Sequence, residues 1–235
     1  MIVGVPKEIK DNEKRVALTP SGAKELTLQG NTVYIEKNAG QGSGFDDKLY
    51  LDAGAHIVDD VNELYNKSTL LLKVKEPQPN EVAKLNSQHT LFTFFHFAAD
   101  KELTYTCMES GATCIAYETV QNDDGSLPIL VPMSEVAGRM AVQNGAKCLE
   151  GNMGGKGKLL GGVPGVKPAK VCILGGGIVG TNAARMASGL GADVSILDVN
   201  MDRLRYLNDV MDKNVTTIYS NTHNIISQLK KTDLL

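Results

Sequence analysis

The stretch from Val171 to Asp198, VCILGGGIVGTNAARMASGLGADVSILD, constrains the fold of this chain more than any other. Val171 to Leu174 are a short apolar run of the kind that makes a buried parallel strand. Gly175, Gly177 and Gly180 follow as G-x-G-x-x-G. Ile178 to Leu190 then reads as a helix, with Ala183, Ala184 and Ala187 on its packing side and Gly191 as its stop. Val194 to Leu197 reads as a second strand that ends at Asp198. Strand, glycine turn, helix, strand and terminal acid in this order are the parts of a dinucleotide-binding βαβ unit. Gly175 permits the tight turn, Gly177 lets the backbone approach a pyrophosphate, and Gly180 lets helix pack close to strand. The pyrophosphate would lie on the free N–H groups at the helix start, and Asp198 would accept from a ribose 2′-OH. A glycine-rich turn that binds nothing is the weaker reading, because the whole context the motif requires is present.

The chain has 235 residues, enough for one large domain or two small ones. A net charge of −3 without any long basic run argues against a nucleic-acid surface. The start, MIVGVPKEIK, lacks the parts of a signal peptide, and no apolar run reaches membrane-spanning length. Cys107, Cys114, Cys148 and Cys172 have no metal or redox spacing. The expectation is a cytoplasmic protein with reduced cysteines and no metal site.

Taken in order, the chain alternates strands and helices. Strands are expected at 2–5, 32–36, 57–58, 70–74, 91–95 and 114–116, and helices near 47–52, 80–85 and 101–109. Thr19-Pro20 should open another helix, with Thr as cap and Pro at the first position, and Gly30 should close it. QNDDGSLP (121–128) reads as a surface loop and domain edge. Ser134 should then cap a helix over 135–150 that bridges two domains. GNMGGKGKLLGGVPGV (151–166) lacks the phosphate-loop spacing and reads as tight connections. After Asp198 a helix (201–212), a strand (215–219) and a helix (224–231) lead to Asp233-Leu234-Leu235. The expected fold class is α/β: two Rossmann-like wound parallel sheets, with residues 1–130 as the substrate domain and 131–235 as the first half of the dinucleotide domain.

Three residues of the first half carry chemistry. Lys75 and His96 each follow an expected strand, and Arg15 lies in the loop after the first one. Ligands of wound sheets bind beyond the carboxyl ends of the strands, so the three side chains can converge on one cleft. An Arg clamps a carboxylate with two hydrogen bonds, a Lys polarises a keto oxygen, and an imidazole moves protons near neutral pH. The trio suits a small α-keto acid. Each residue taken alone is more readily a solvated loop side chain.

VPKEIKDNEKRVALTP, KVKEPQP, FTFFHFA, AYETVQ, PMSEVAGRMA and LLGGVPGV, followed by GGGIVGTNAA and ILDVN, together resemble alanine dehydrogenase across the whole chain. The resemblance implies reversible NAD-dependent deamination of L-alanine to pyruvate and ammonium, in a homo-oligomer, a hexamer by family. It implies Arg15 and Lys75 as substrate-binding residues and His96 as proton donor or acceptor. Met133, Ser134, Ile178, Val179, Asp198, Arg203 and Ser220 would lie along the NAD, with Gly175, Gly177 and Gly180 at its pyrophosphate. Two other readings stay open: a transhydrogenase-like NAD-binding subunit, and a non-catalytic NAD-binding fragment. Members of this family continue beyond position 235 into the second half of the cofactor sheet and a catalytic aspartate. A chain that stops where its fourth strand begins should turn over little and should leave Val171–Leu174 as a bare apolar edge.

Overall fold

The computed structural model describes residues 1–235 as two compact units, Met1–Ile129 and Leu130–Leu235. The first unit runs β1 (Ile2–Val5), α1 (Pro20–Leu28), β2 (Thr32–Glu36), α2 (Asp47–Asp52), β3 (His56–Val58), α3 (Val61–Lys67), β4 (Leu70–Leu72), α4 (Pro79–Val82), β5 (Thr90–Thr93), α5 (Lys101–Ser110) and β6 (Thr113–Ala116). The helices start where a side-chain oxygen meets their free N–H groups. Thr19 accepts from Gly22, with Pro20 at the first position as its sequence predicts. Asp46, Asp60 and Asp100 do the same for α2, α3 and α5. The helix α3 had no counterpart in the sequence reading. Seven residues are too few for periodicity to declare itself, yet its Leu64 and Tyr65 are buried.

The six strands form one sheet in the order β3-β2-β1-β4-β5-β6, and every pairing is parallel. The winding reverses between β1 and β4, so the switch point lies there. Val3, Val5, Val33, Ile35 and Tyr50 build one core cluster; Leu64, Leu71, Leu91, Phe95 and Leu103 build another.

The second unit runs α6 (Leu130–Cys148), β7 (Lys170–Leu174), α7 (Ile178–Gly189), β8 (Asp193–Asp198), α8 (Met201–Val210), β9 (Val215–Tyr219) and α9 (Thr222–Leu229). Its three strands are parallel in the order β7-β8-β9. The helix expected over 135–150 begins five residues earlier, at Leu130, so Ser134 lies inside it and caps nothing. Pro132 is compatible with that start, because the first-turn N–H groups have no partner within a helix. The core gathers Val142, Val171, Ala184, Ala187, Val194, Ile196 and Leu207. Gly138 lets α6 approach α7: a Cβ there would collide with the Val179 carbonyl and the Asn182 side chain.

The strand β7 is not the bare edge that the sequence suggests. Val171 bridges Leu234 in parallel, and the Cys172 N–H donates to the Leu234 carbonyl at 2.9 Å. Asp233 anchors this segment. Its Oδ2 accepts from Lys158 Nζ at 2.5 Å and from the Lys170 N–H at 2.9 Å. Lys156 reaches its Oδ1 at 3.4 Å. Burial opposes charge on Asp233, yet these donors hold its pKa down to about 2. The lysines of the glycine-rich GGKGK stretch thus tie down the chain's last residues. No helix is long and apolar enough to cross a membrane, and all four cysteines are free.

Candidate functional site

Three neighbouring strands in the middle of the first sheet, β1, β4 and β5, send their carboxyl ends to one edge, and the loops beyond carry Arg15, Lys75 and His96 respectively. Arg15 is held by Glu13. Its Nε and one terminal nitrogen donate to the two Glu13 oxygens at 2.8 and 2.6 Å, and its backbone N–H donates to Glu13 Oε1 at 2.9 Å. The hydrogen bonds from Arg15 pull the Glu13 carboxyl down to about 2, and the charge of Lys75 adds to the effect. Beside the pair opens a cavity of about 310 Å³, lined by Lys7, Glu13, Lys14, Arg15 and Gln41 among others. Lys75 and His96 are not in its wall. Glu76, which follows Lys75 directly, is paired with Lys10; burial opposes its charge, and the Lys10 hydrogen bond lowers its pKa.

The Lys75 loop hangs from a buried ion cluster. Lys73, fully buried, pairs with Glu8 Oε2 at 3.1 Å and Glu81 Oε1 at 2.8 Å. Glu8 Oε1 accepts the N–H of Val74 at 2.6 Å and that of Lys75 at 3.4 Å. Glu81 Oε2 accepts from the Gln78 N–H at 2.8 Å, at the start of α4. His96 is exposed and sits in the left-handed region, φ 54° and ψ 34°. Its backbone N–H donates to Glu118 Oε1 at 2.7 Å.

In the second unit the cradle expected from the glycines forms at the carboxyl ends of β7 and β8. Gly175 has φ +102°, which a side chain would strain. Gly177 caps α7 and has open space where a Cβ would project. A Cβ on Gly180 would run into the Gly175 carbonyl oxygen, so the third glycine is needed for the turn to close on the helix. Asp198 ends β8. Its Oδ2 accepts the Gly176 N–H at 2.6 Å and its Oδ1 the Asn200 N–H at 2.8 Å, bonds that lower its pKa. The Ser220 N–H donates to the Asp198 carbonyl at 2.9 Å. Arg203 donates from Nε to the Gly176 carbonyl and from a terminal nitrogen to Thr181 Oγ1, both at 2.6 Å. Ile178 and Val179 open α7 and are exposed. Met133 and Ser134 lie in the first turns of α6, half-buried.

Residues 4–137 match the family model of the alanine dehydrogenase/PNT N-terminal domain, and residues 141–235 that of the alanine dehydrogenase/PNT C-terminal domain. The chain belongs to the alanine dehydrogenase/PNT family. The alanine dehydrogenase of Methanococcus maripaludis is 54% identical over 235 residues, which cover all of this chain and 63% of that one. A solved L-alanine dehydrogenase matches with a TM-score of 0.93 at 50% identity, over 99% of this chain and 64% of that one. A transhydrogenase from Sinorhizobium meliloti matches with a TM-score of 0.76 at 25% identity, over 98% and 64%. The chain thus spans less than two thirds of the length of these relatives.

Within this alanine dehydrogenase/PNT chain, the residues missed by sequence reasoning are Glu8, Glu13, Lys73, Glu81 and Glu118. Lys73 had a usable signal: it stands at the end of an apolar strand run, LLLKVK, where a charge must be paired if it is buried. Glu8 and Glu118 carry none, since the backbone N–H groups they accept belong to segments 22 or more residues away; Glu13 and Glu81 have partners within three residues, Arg15 and the Gln78 N–H.

Proposed function

We propose that the protein acts in NAD-dependent oxidative deamination of L-alanine to pyruvate and ammonium, with Met1–Ile129 holding the substrate and Leu130–Leu235 the dinucleotide. The observation that carries this reading is the delivery of Arg15, Lys75 and His96 to one sheet edge, flanking the switch point, by three adjacent parallel strands. Arg15, gripped by Glu13, takes the substrate carboxylate; Lys75 polarises the carbonyl oxygen; His96 gives or takes the proton. The second unit suits NAD: Gly175 and Gly177 leave room for the pyrophosphate, Gly180 lets the turn close on α7, and both Asp198 oxygens retain lone pairs for ribose hydroxyls. Bound NAD supplies the hydride acceptor. Ile178, Val179, Met133, Ser134, Arg203 and Ser220 are the remaining cofactor contacts of this reading. Asp198 disfavours a 2′-phosphate, and Arg203 spends two donors on the glycine turn and the α7 side chain Thr181. NAD is therefore preferred to NADP. On this reading the protein works in the cytoplasm as a homo-oligomer, without nucleic acid, membrane or metal.

The second reading, a transhydrogenase-like NAD-binding subunit, is favoured by the transhydrogenase structural match. Absorbance of NADH, followed with L-alanine and NAD at alkaline pH, separates the two, alongside calorimetry with NAD. Alanine-dependent NADH that disappears in His96→Ala supports the first reading. NAD binding without any alanine turnover, in a chain extended through the second half of the cofactor sheet, supports the second, or a non-catalytic NAD-binding module.

A further inference from the structure

His96 holds a left-handed backbone conformation, which L residues with a Cβ avoid. The other two non-glycine residues with positive φ are asparagines, the type that enters this region through its short polar side chain. Something outside the loop must fix His96, and the residues that do so lie beyond the next strand. The sheet pairs Thr93 with Ala116, so the chain segments that follow β5 and β6 leave the sheet side by side. After Ala116 the chain makes a 3₁₀ turn over Tyr117–Thr119. The Glu118 carboxylate there accepts two consecutive N–H groups: Phe95 at 3.1 Å and His96 at 2.7 Å, both on Oε1. The His96 carbonyl is taken as well, by the Ala99 N–H at 2.9 Å. The imidazole itself lies nearly parallel to the Phe94 ring, at 6.2 Å and 17°. Phe94 in turn rests edge-on against Tyr117 at 5.1 Å, and Tyr117 also meets Phe92 at 4.3 Å. Tyr117 is buried enough that its hydroxyl is pushed up to about 12.

We infer that the Tyr117–Glu118 pair is the positioning element of His96: Glu118 clamps its backbone in the left-handed turn, and Tyr117 props the Phe94 ring on which the imidazole lies. Glu118 touches backbone donors rather than reacting atoms, so it acts through His96. The inference rests on the reading of His96 as the proton-transferring residue. Without the clamp, the Phe95 and His96 N–H groups lose their acceptor, and the loop is free to leave φ > 0.

The test is amide exchange and imidazole resonances by NMR on this chain, for wild type, Glu118→Ala and Glu118→Gln. In Glu118→Ala the Phe95 and His96 amides should exchange about tenfold faster or more, while Leu91 in β5 keeps its rate, and the His96 ring resonances should move as the imidazole leaves the Phe94 ring. Glu118→Gln keeps a carbonyl oxygen that can accept both N–H groups, so most of the protection should return. If Glu118→Ala does not fold, Glu118→Asp retracts the carboxylate by one methylene and should give the same selective loss. Equal changes at Leu91, Phe95 and His96, or no rescue by Gln, overturn the inference. Because exchange reports the clamp without turnover, its failure is distinct from a failure of His96→Ala to abolish activity.

Discussion

Lys73→Met is the sharpest probe of what holds the loops after β1 and β4. Met matches the length of the Lys stem, so packing changes little and the charge is what is lost. Lys73 is fully exposed to no solvent, and the side chains of its partners Glu8 and Glu81 are 3% and 5% exposed. Removing one member of a buried ion pair costs about 3–5 kcal/mol. One ammonium here serves two carboxylates, which would double that figure if both were stranded completely. Each keeps backbone donors on its other oxygen, Glu8 from Val74 and Glu81 from Gln78, so the single range applies. For a unit of this size each kcal/mol moves the unfolding midpoint by about 3–5 °C, which gives a fall of roughly 10–25 °C at pH 8. The stranded carboxylates gain by taking up a proton on folding. The folded variant then binds more protons than its unfolded chain, and its stability rises as pH falls. The deficit should therefore shrink at pH 5, and adding Glu81→Gln should recover part of it at pH 8. Calorimetry and urea unfolding at both pH values measure this. A loss below about 1 kcal/mol, or an equal loss at both pH values, would refute the idea that the cluster is a tightly compensated charge system.

Gly180→Ala should abolish NAD binding and lower stability together, because its methyl collides with the Gly175 carbonyl; calorimetry and thermal melts check both. Asp198→Ala should weaken NAD by about tenfold or more and narrow its advantage over NADP, since a charge-assisted hydrogen bond contributes about 1.5–3 kcal/mol; competitive titration decides, and unchanged discrimination removes Asp198 from the ribose site. Glu13 titrates at about 2 in the folded chain against an ordinary 4.5. A depressed carboxyl stabilises fully above its unfolded value, so this contribution should fade as pH drops from about 4.5 to 2. Glu13→Gln should flatten acid unfolding across that window, and an unaltered acid limb would count against the Arg15–Glu13 pair.

The second unit was legible because its signal is local. Gly175, Gly177, Gly180 and Asp198 fall within 24 residues, and each glycine answers to a steric fact that belongs to the turn itself. The loops after β1, β4 and β5 were legible in part, since parallel strands must send their carboxyl ends the same way. Ser134 misled because Ser, Thr, Asp and Asn start helices by capping them, and nothing local showed that Leu130 had already begun one. The bare edge at β7 misled for a different reason: Asp233 reads as a tail residue until Lys156, Lys158 and the Lys170 N–H are seen around it.

The missed glutamates follow a common rule. Arg15, Lys75 and His96 all lie in loops, where backbone N–H groups have no strand or helix partner. In each case a carboxylate supplies one: Glu13 for the Arg15 N–H, Glu8 for Lys75 and Glu118 for His96. Glu13 is two residues from its target, while Glu8 and Glu118 are 67 and 22 residues away. Which loops adjoin is decided by the strand order β3-β2-β1-β4-β5-β6, a property of the whole sheet that no short window of sequence contains. Carboxylates placed this way fix loop backbone that the ladder cannot reach, and Glu13 also sets negative charge beside Arg15 and within the field of Lys75. The acids are therefore as much a part of how these three loops are built as Arg15, Lys75 and His96 themselves.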